Sequence, residues 1–320
     1  GMEGYPGEID FPPCKTVSSK PSIDLDPTPD SARNATDDSS LNSKKIALVC
    51  CLFFEDNVNV DLVEKYNTCL NFLFRSAKKF FLKNHQVDFI VLTNSELVTC
   101  EVDGINLLNV DYNIFNNWHG YSMKVLGLDF VPNKSDYSHI FSTDVDQIFI
   151  NEITSDDLLS NDFVLMRHWF SPDFLPLLNS ITDFIDTTVK KDEQTWVMGN
   201  FLGGKSELVS DMVTESKDIH SRLFGNKIME CCHFYTRYPE EVFAGKYVYE
   251  NKIDYKHLMG RMDFQNHPNE KFFLGDFDQF YQENKLCKDF SKLDNFRNVK
   301  CLHQTKVDLE FLDKFSKLYF

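Results

Sequence analysis

The stretch Ile140-Phe141-Ser142-Thr143-Asp144-Val145-Asp146-Gln147-Ile148-Phe149 decides both the fold class and the candidate site. Its apolar residues predict two short strands, His139 to Ser142 and Gln147 to Ile150, on either side of an acidic triplet. In open α/β sheets, ligands bind beyond the carboxyl ends of the strands, and the triplet follows such an end. The sequence therefore predicts a ligand site at Asp144-Val145-Asp146.

Apolar runs alternate with helical patterns on both sides of this stretch. The runs that are short enough for further buried strands are Ile46 to Phe54, Val87 to Leu92, Ile105 to Val110 and Phe163 to His168. Apolar residues at helical spacing predict helices over Asp61 to Phe81, Tyr121 to Phe130 and Glu207 to Leu223. This alternation favours an α/β fold, in which a mostly parallel central sheet is flanked by helices. We expect one Rossmann-related domain.

The first 42 residues differ in composition from the rest of the chain. Residues 1–42 are rich in Pro, Ser, Asp, Thr and Asn and have almost no apolar pattern. Such a segment cannot bury enough surface to offset its conformational entropy, so we predict a disordered tail or stem. Residues 43–320 then form the folded domain.

The charge of the chain restricts its partners. The formal net charge is −16, from 49 acidic and 33 basic residues, and no long run of Lys or Arg interrupts it. Binding to nucleic-acid phosphates needs clustered basic residues, so we expect no nucleic-acid partner. An acidic protein that binds an anionic nucleotide needs a divalent cation or a few well-placed basic side chains. The charge thus favours dependence on a metal.

Sequence features leave two cellular locations open. No stretch reaches the roughly 20 apolar residues of a membrane helix, but Gly1-Met2 is typical of a trimmed N-terminus and leaves room for an anchor ahead of it. Asn34-Ala35-Thr36 and Asn133-Lys134-Ser135 have the pattern of N-glycosylation acceptors. We expect either a Golgi-lumenal type II membrane protein or a cytoplasmic enzyme, and the nine cysteines do not decide between them.

Two carboxylates that are separated by one residue, and held rigidly after a strand, can bind one hard cation together. Mg²⁺ and Mn²⁺ keep coordination positions open for water and phosphate oxygens, so such a pair can bridge the protein to a diphosphate. The same spacing recurs at Asp24-Leu25-Asp26 and at Asp276-Phe277-Asp278. A solvated turn between two strands is therefore the alternative interpretation of Asp144 to Asp146.

Three other segments have residues suited to bind a nucleotide or a sugar. Met198-Gly199-Asn200-Phe201-Leu202-Gly203-Gly204 contains glycines that allow a ligand to approach the backbone closely, although a strand and turn explain it equally well. His168-Trp169 offers a flat aromatic surface for a sugar ring, with a buried core Trp as the alternative. Lys306 could neutralise a diphosphate, or it is a solvated lysine.

These segments, taken in order, resemble the histo-blood-group A/B and α1,3-galactosyltransferase family, glycosyltransferase family six. The similar segments extend over about residues 45–306, and they include Phe74-Arg75-Ser76-Ala77-Lys78-Lys79-Phe80-Phe81, Val87-Asp88-Phe89-Ile90-Val91-Leu92-Thr93-Asn94, Trp118-His119-Gly120-Tyr121-Ser122-Met123 and Gln304-Thr305-Lys306. Members of this family are retaining enzymes with the GT-A fold. The resemblance implies a UDP-sugar donor, a glycan acceptor and an α linkage in the product. It also implies a nucleotide-binding part over about 43–150 and a part that binds the acceptor and the donor sugar over about 151–320.

The resemblance also implies a role for individual residues. It assigns Asp144 and Asp146 to Mn²⁺ (or Mg²⁺), and these two with Val145 to the UDP diphosphate. The remaining assignments are Tyr66 near the uracil, Ser122 near the ribose or the metal-binding aspartates, Met198, Gly199 and Asn200 in the donor-sugar pocket, His168 and Trp169 at the acceptor, and Lys306 at the diphosphate. Asn200 stands where small residues are usual in the family, which leaves galactose and N-acetylgalactosamine both open as donors.

The catalytic carboxylate of the family has no clear counterpart in this sequence. The family carries His-Asp-Glu-Ser, and the best match here, Ile253-Asp254-Tyr255-Lys256-His257-Leu258, has Tyr255 in place of the Glu. An ungapped count lands instead on His233-Phe234-Tyr235-Thr236, which also lacks the acid. Asp254 or Glu250 could substitute, because a nearby carboxylate stabilises the positive charge that builds up at the anomeric carbon. A front-side reaction assisted by the leaving diphosphate, or an impaired enzyme, are the alternatives.

Two more departures concern charge near the donor. Val125 stands where the family usually has a basic residue, and Gly120 stands where it has Asp. An extra segment between Phe54 and Tyr66 is a further departure from the family. The sequence therefore supports three hypotheses: a retaining hexosyltransferase, a transferase-fold protein that binds nucleotide sugar or glycan without turnover, and a GT-A enzyme of a neighbouring family.

Overall fold

The computed structural model describes residues 44–114, 117–167, 197–225, 239–259, 273–276 and 299–303. Strand β1 (Lys45–Leu52) lies inside a sheet, where β2 (Val87–Thr93) and β4 (Tyr137–Thr143) pair with it in parallel on its two sides. Almost all of its side chains are buried, and so are those of β4. Strands that are covered on both faces consist of continuous apolar residues, which explains the runs seen in the sequence.

Ten strands of the described chain form one sheet in the order β3-β2-β1-β4-β7-β6-β8-β9-β10-β5. The other strands are β3 (Ile105–Asn109), β5 (Gln147–Phe149), β6 (Phe163–Arg167), β7 (Val197–Lys205), β8 (Tyr255–Met259), β9 (Phe273–Asp276) and β10 (Val299–His303). Strand β7 is antiparallel to both β4 and β6, and β5 is antiparallel to β10, while the other pairings are parallel. The seven strands from β3 to β8 form the central part, because β8 and β9 share one residue pair only.

Helices cover both faces of this sheet. They are α1 (Val60–Phe80), α2 (Asn117–Leu126), α3 (Ser155–Leu158), α4 (Ser206–Gly225) and α5 (Pro239–Glu250), with short 3₁₀ turns at Gly127–Phe130 and Lys134–Asp136. Alternate residues of β1 separate the two cores. Leu48 and Cys50 belong to the apolar cluster under α1, whereas Ala47 and Val49 belong to the cluster under α2, α4 and α5. This is the period of two expected of a strand with two buried faces.

The ends of two helices differ from the sequence prediction. Helix α1 begins at Val60, because the Asn59 side chain caps it by accepting a hydrogen bond from the Asp61 backbone N–H at 2.9 Å. Helix α2 begins earlier than predicted and ends at Leu126, and the chain continues to Phe130 as a 3₁₀ turn. The predicted helix over Tyr121 to Phe130 therefore combines the second half of α2 with this tighter turn.

The sheet must curve strongly near the acidic triplet. Strands β4 and β5 are only three residues apart in the chain, yet they occupy distant positions in the strand order. Close packing on both sides of β7 accompanies this curvature. A Cβ atom at Gly203 would lie 2.2 Å from the Ile140 carbonyl oxygen of β4, and one at Gly204 would lie 2.3 Å from the Asp162 carbonyl oxygen. Only glycine fits at these two positions.

The fold prediction is confirmed at the level of architecture. The described chain is a mixed α/β structure with a mostly parallel central sheet flanked by helices, and it is compatible with a Rossmann-like fold. The predicted tail at 1–42 lies outside the described residues. None of the helices in the described ranges is long and apolar enough to cross a membrane.

Candidate functional site

The acidic triplet forms the turn between β4 and β5. Asp144, Val145 and Asp146 are half-buried, and the Asp144 backbone N–H donates a hydrogen bond to the Asn200 carbonyl oxygen at 2.9 Å. Val145 packs against the apolar cluster under α1. The turn is thus tied to β7 on one side and to the core on the other, which holds the two carboxylates close to the carboxyl end of β4.

A buried glutamine fastens this turn to two distant strands. The Gln147 side chain is fully buried, and its Nε2 donates to the Asn200 carbonyl oxygen in β7. Its Oε1 accepts a hydrogen bond from Cys301 Sγ in β10 at 3.0 Å. Gln147 therefore links the centre of the sheet to its far end directly beside Asp146.

Helix α2 brings a cation to the acidic turn. Lys124 Nζ lies 2.8 Å from Asp144 Oδ1 and 3.6 Å from Glu240 Oε1. Burial by itself would lower the pKa of Lys124, but the carboxylates of Asp144 and Glu240 raise it well above its usual range. The ammonium therefore stays charged. The resemblance leads to the expectation of a basic residue at position 125. In this chain Val125 is buried in the core, and Lys124 is the basic residue beside it.

Two carboxylates that sequence reasoning missed begin helix α5. Glu240 is 1% exposed and lies next to Lys124, and its neighbour Glu241 accepts a hydrogen bond from the Gly199 backbone N–H at 3.2 Å. The signal in the sequence was Pro239-Glu240-Glu241, because proline and acidic residues are favoured in the first turn of a helix. That pattern predicts a helix start, but not that this start meets β7 beside the acidic turn.

The environment of Glu240 disfavours its ionised form. Burial raises the pKa of Glu240 to about 7, Lys124 opposes this effect, and the charge of Asp144 adds to it. Strand β7 packs tightly against the same side chain, since a Cβ atom at Gly199 would lie 2.4 Å from Glu240 Cγ. The glycine at 199 thus allows the carboxylate to approach the strand.

Asn200 is the next residue of β7 and is also buried. The residue is 3% exposed, and neither atom of its side-chain amide has a hydrogen-bond partner within the described part of the chain. An amide that is left in this state costs free energy, so such a group commonly marks the place of a missing ligand atom or water. Asn200 therefore supports a polar ligand beside the acidic turn.

Tyr66 and Tyr121 are two aromatic residues with contacts near the acidic turn. The Tyr66 ring packs against Phe54 with ring centroids 5.9 Å apart, and the Lys124 ammonium lies 5.2 Å from the Tyr121 ring centroid. Burial raises the pKa of Tyr66 to about 12, and the negative charge of Asp146 contributes to that shift. The charge of the acidic turn thus acts on the Tyr66 hydroxyl, and the assignment of Tyr66 to the uracil stays a prediction.

Ser122 is near the site, but its hydroxyl is already engaged. The side chain is fully buried, and Oγ donates a hydrogen bond to the His119 carbonyl oxygen at 2.6 Å within helix α2. The assignment of Ser122 to the ribose or to the metal-binding aspartates stays a prediction. Helix α2 contributes Lys124 to the acidic turn.

The structure does not bring Asp254 or Tyr255 to the acidic turn. Tyr255 is the first residue of β8 and stands level with Phe163 in the adjacent strand, which in turn is level with Gly204 and Ile140. Asp144 follows β4 four residues beyond Ile140, or about 13 Å along the strands. Tyr255 and Asp254 therefore lie at the opposite end of the strands, where the exposed Asp254 accepts hydrogen bonds from Asn161 at 3.2 Å.

Glu250 is also remote from the turn. It ends helix α5 and forms an ion pair with Lys246 one turn earlier. Ten residues separate it from Glu240, which corresponds to about 15 Å along a helix. The structure therefore places Asp254, Glu250 and Tyr255 away from the acidic turn, and their assignment to the catalytic carboxylate stays a prediction. Helix α5 runs in the same direction as β7, so its first turn meets the start of β7 beside the acidic turn and its last turn lies near the other end of that strand.

Some of the predicted site residues lie outside the described ranges. These are His168, Trp169 and Lys306. Met198 is described as part of β7, where it pairs with Met166 of β6. Their assigned roles stay predictions.

The donor set at the acidic turn fits a hard divalent cation that is shared with a ligand. Asp144 and Asp146 provide carboxylate oxygens, which are the ligands that Mg²⁺ and Mn²⁺ prefer. No group of three or more His, Cys, Asp or Glu side chains suited to a metal occurs within the described ranges. A cation held by two carboxylates keeps most of its coordination positions for water or phosphate, as expected of a nucleotide site rather than a closed structural site.

Comparison with protein-family models gives no match for this chain, and no curated protein matches it either. Any functional assignment therefore depends on the sequence pattern and on the geometry of the site.

Proposed function

We propose that the protein is a retaining glycosyltransferase of the GT-A type that moves a hexose from a UDP-sugar to a glycan hydroxyl with an α linkage. The donor sugar is of the galactose or N-acetylgalactosamine type, and the reaction depends on Mn²⁺ or Mg²⁺. The observation that carries the proposal is the convergence, beside one strand end, of an acidic turn, a lysine and two further carboxylates.

The residues of the acidic turn would hold the cation and the diphosphate. Asp144 and Asp146 supply the protein ligands, and a bound divalent cation would neutralise the diphosphate and stabilise it as a leaving group. Tyr66, whose hydroxyl is affected by the charge of Asp146, is the residue proposed for the base. Asn200 offers an unpaired buried amide for the donor.

Glu240 or Glu241 would provide the catalytic carboxylate, for which the sequence has no clear counterpart. In the transfer, the bond between the anomeric carbon and the diphosphate oxygen breaks, and a bond to the acceptor hydroxyl oxygen forms. The hydroxyl proton leaves to a carboxylate or phosphate oxygen. A carboxylate next to the donor pocket stabilises the positive charge that develops at the anomeric carbon. Glu241 is held for this role by the Gly199 N–H, at the edge of the proposed sugar pocket.

The proposal of a binding protein without turnover loses its main argument. That hypothesis rested on the absence of a second carboxylate near the donor, and Glu240 and Glu241 are now candidates for this position. A GT-A enzyme of a neighbouring family stays open as the alternative. NMR determination of the product anomer distinguishes it from a family-six enzyme, which makes the α product.

Turnover and nucleotide binding test the proposal together. The protein is incubated with Mn²⁺ and with UDP-galactose, UDP-N-acetylgalactosamine or UDP-glucose, with and without a panel of glycan acceptors, and UDP release is followed. We expect acceptor-dependent release from at least one donor. Asp146→Asn should abolish both Mn²⁺-dependent UDP binding and release, because one of two metal carboxylates is lost. Undiminished turnover in Asp146→Asn would rule out the metal assignment.

A second pair of variants tests the carboxylate assignment. Glu241→Gln should lower the transfer rate at least about a hundredfold, because a neutral amide cannot stabilise a developing positive charge as a carboxylate does. UDP binding should stay within about twofold of that of the unmodified protein. Glu250→Gln, in the last turn of the same helix, is the control and should leave transfer unchanged. A larger loss of transfer rate in Glu250→Gln than in Glu241→Gln would instead assign the catalytic carboxylate to Glu250.

A further inference from the structure

The Lys124 ammonium lies between two carboxylates and is closer to one of them. Its Nζ lies 2.8 Å from Asp144 Oδ1, a normal distance for a charge-assisted hydrogen bond. Its distance of 3.6 Å from Glu240 Oε1 is too long for a hydrogen bond. Glu240 Oε2 is buried and has no hydrogen-bond partner within the described part of the chain. Glu240 is therefore incompletely satisfied while Lys124 binds Asp144.

A divalent cation would change this balance. Asp144 is also a proposed ligand of the metal, and an ammonium and a divalent cation compete for the same carboxylate because they repel each other at short range. The side chains of Lys124 and Asp144 are only 19% and 12% exposed, so solvent screens this repulsion little. Moving Nζ by about 1 Å toward Glu240 would bring that contact into hydrogen-bond range.

We propose that Lys124 is a positioning residue that exchanges carboxylates: it binds Asp144 in the absence of metal, and a divalent cation at Asp144 and Asp146 displaces it to Glu240. The exchange rests on the proposed function only for the metal site at the acidic turn. Binding of the cation at the acidic turn would thereby place a positive charge next to Glu240, beside the proposed sugar pocket. The protein would thus complete its donor site only after the cation is bound.

Binding of Mn²⁺ alone tests the exchange, without nucleotide and without turnover. Free Mn²⁺ is measured by electron paramagnetic resonance during titration of the full chain. Lys124→Met should bind Mn²⁺ at least about tenfold more tightly, because the competing ammonium is gone. Lys124→Arg keeps the charge and should stay close to the unmodified protein. Equal or weaker Mn²⁺ binding by Lys124→Met would overturn the proposal.

Lys246 provides the matched control. It is also a half-buried lysine in an ion pair, with Glu250, but that pair is at the far end of helix α5. Lys246→Met should change Mn²⁺ affinity by less than about twofold. A gain in Lys246→Met equal to that in Lys124→Met would mean that overall charge, and not the exchange, is responsible, and would also overturn the proposal.

A measurement on the unmodified protein covers the case that Lys124→Met does not fold. The ammonium resonance of Lys124 is observed by ¹H–¹⁵N NMR and assigned by its loss in Lys124→Arg. Saturating Mg²⁺ should shift it, and Glu240→Gln should reduce that shift. A resonance that does not move under saturating Mg²⁺ contradicts the exchange. If Asp146→Asn still binds Mn²⁺ normally, the metal assignment fails instead, so the two failures can be told apart.

Discussion

At the scale of single residues, small changes of position determine the chemistry of the site. Lys124 supplies the cation that a comparison of positions finds missing at Val125, because the ammonium of a long side chain can reach Asp144 from the preceding helical position. Gly199 contributes to the site because it has no side chain. Its backbone can lie against Glu240 and donate to Glu241 only because no Cβ atom stands between them.

Gly199→Ala tests this contact. The added Cβ would lie 2.4 Å from Glu240 Cγ and 2.7 Å from Glu240 Oε1, so the start of helix α5 must move away from β7. We expect the free energy of unfolding to fall by about 1–3 kcal/mol, measured by urea denaturation. The control is Gly120→Ala, where the nearest atom is the flexible end of Ile114 at 3.3 Å. Equal stability of both variants would contradict the described packing.

At the scale of helices and strands, the site depends on where helices α2 and α5 begin. Helix α2 carries Lys124, and it packs against α4 through the rings of His119 and His220, whose centroids are 4.8 Å apart. Helix α5 carries Glu240 and Glu241 in its first turn. Both helices lie on the same face of the sheet, in the core that contains Ala47 and Val49. The site is therefore as stable as the packing of these helices.

The histidine pair predicts loss of stability in acid. Burial lowers the pKa of His119 to about 4, and burial together with the charge of His119 lowers the pKa of His220 to about 3. In the unfolded chain both titrate near 6.5. As the pH falls below about 6.5, the unfolded chain binds protons that the folded protein does not, so the free energy of unfolding decreases until about pH 4.

His220→Phe should remove part of this dependence and keep a planar ring at the position. Between about pH 6.5 and 4, we expect the slope of the unfolding free energy against pH to fall by up to about 1.4 kcal/mol per pH unit, measured by urea denaturation at several pH values. His85→Phe is the control, because His85 is exposed. An unchanged slope in His220→Phe would show that His220 is not kept neutral by the fold.

At the scale of the whole molecule, the curvature of the sheet creates the site. The acidic turn joins β4 near the centre of the sheet to β5 at its end, and Gln147 binds both the backbone of β7 and the thiol of Cys301 in β10. A flat sheet would separate these strands by several strand spacings of about 4.8 Å each. The link through one buried amide therefore holds the two ends of the sheet around the acidic turn.

Gln147→Met removes this link while it keeps the volume of the side chain. The hydrogen bonds to the Asn200 carbonyl and from Cys301 are lost, so we expect the free energy of unfolding to fall by about 1–3 kcal/mol. Mn²⁺ binding, followed by paramagnetic resonance, should weaken at the same time because the acidic turn is less well held. Gln86→Met on the exposed surface should change stability by less than about 0.5 kcal/mol. A Gln147→Met protein of normal stability would argue against the described link.

Sequence periodicity was sufficient to predict β1 to β6 and the α/β class, but not β8, β9 and β10. The runs beginning at Ile46, Val87, Ile105 and Phe163 form strands with bounds that differ by one or two residues, because a buried strand must be apolar on both faces. The acidic turn at the end of β4 was predicted for the same reason: local pattern fixes where a strand ends. Helix α2 was predicted less well, since it begins at Asn117 and ends at Leu126, where the chain tightens into a 3₁₀ turn that periodicity does not distinguish from an α-helix.

The sequence by itself thus determined the α/β class, strands β1 to β6 and the position of the Asp144 to Asp146 turn, because these depend on neighbours within about ten residues. Only the tertiary structure decided which cation and which carboxylates meet that turn. Lys124 and Glu240 are separated by more than a hundred residues, and their contact follows from the packing of α2 and α5 on one face of the sheet. Motif spacing pointed to Asp254, Glu250 and Tyr255, whereas the packing of the first turn of α5 against the start of β7 brings Glu240 and Glu241 to the acidic turn.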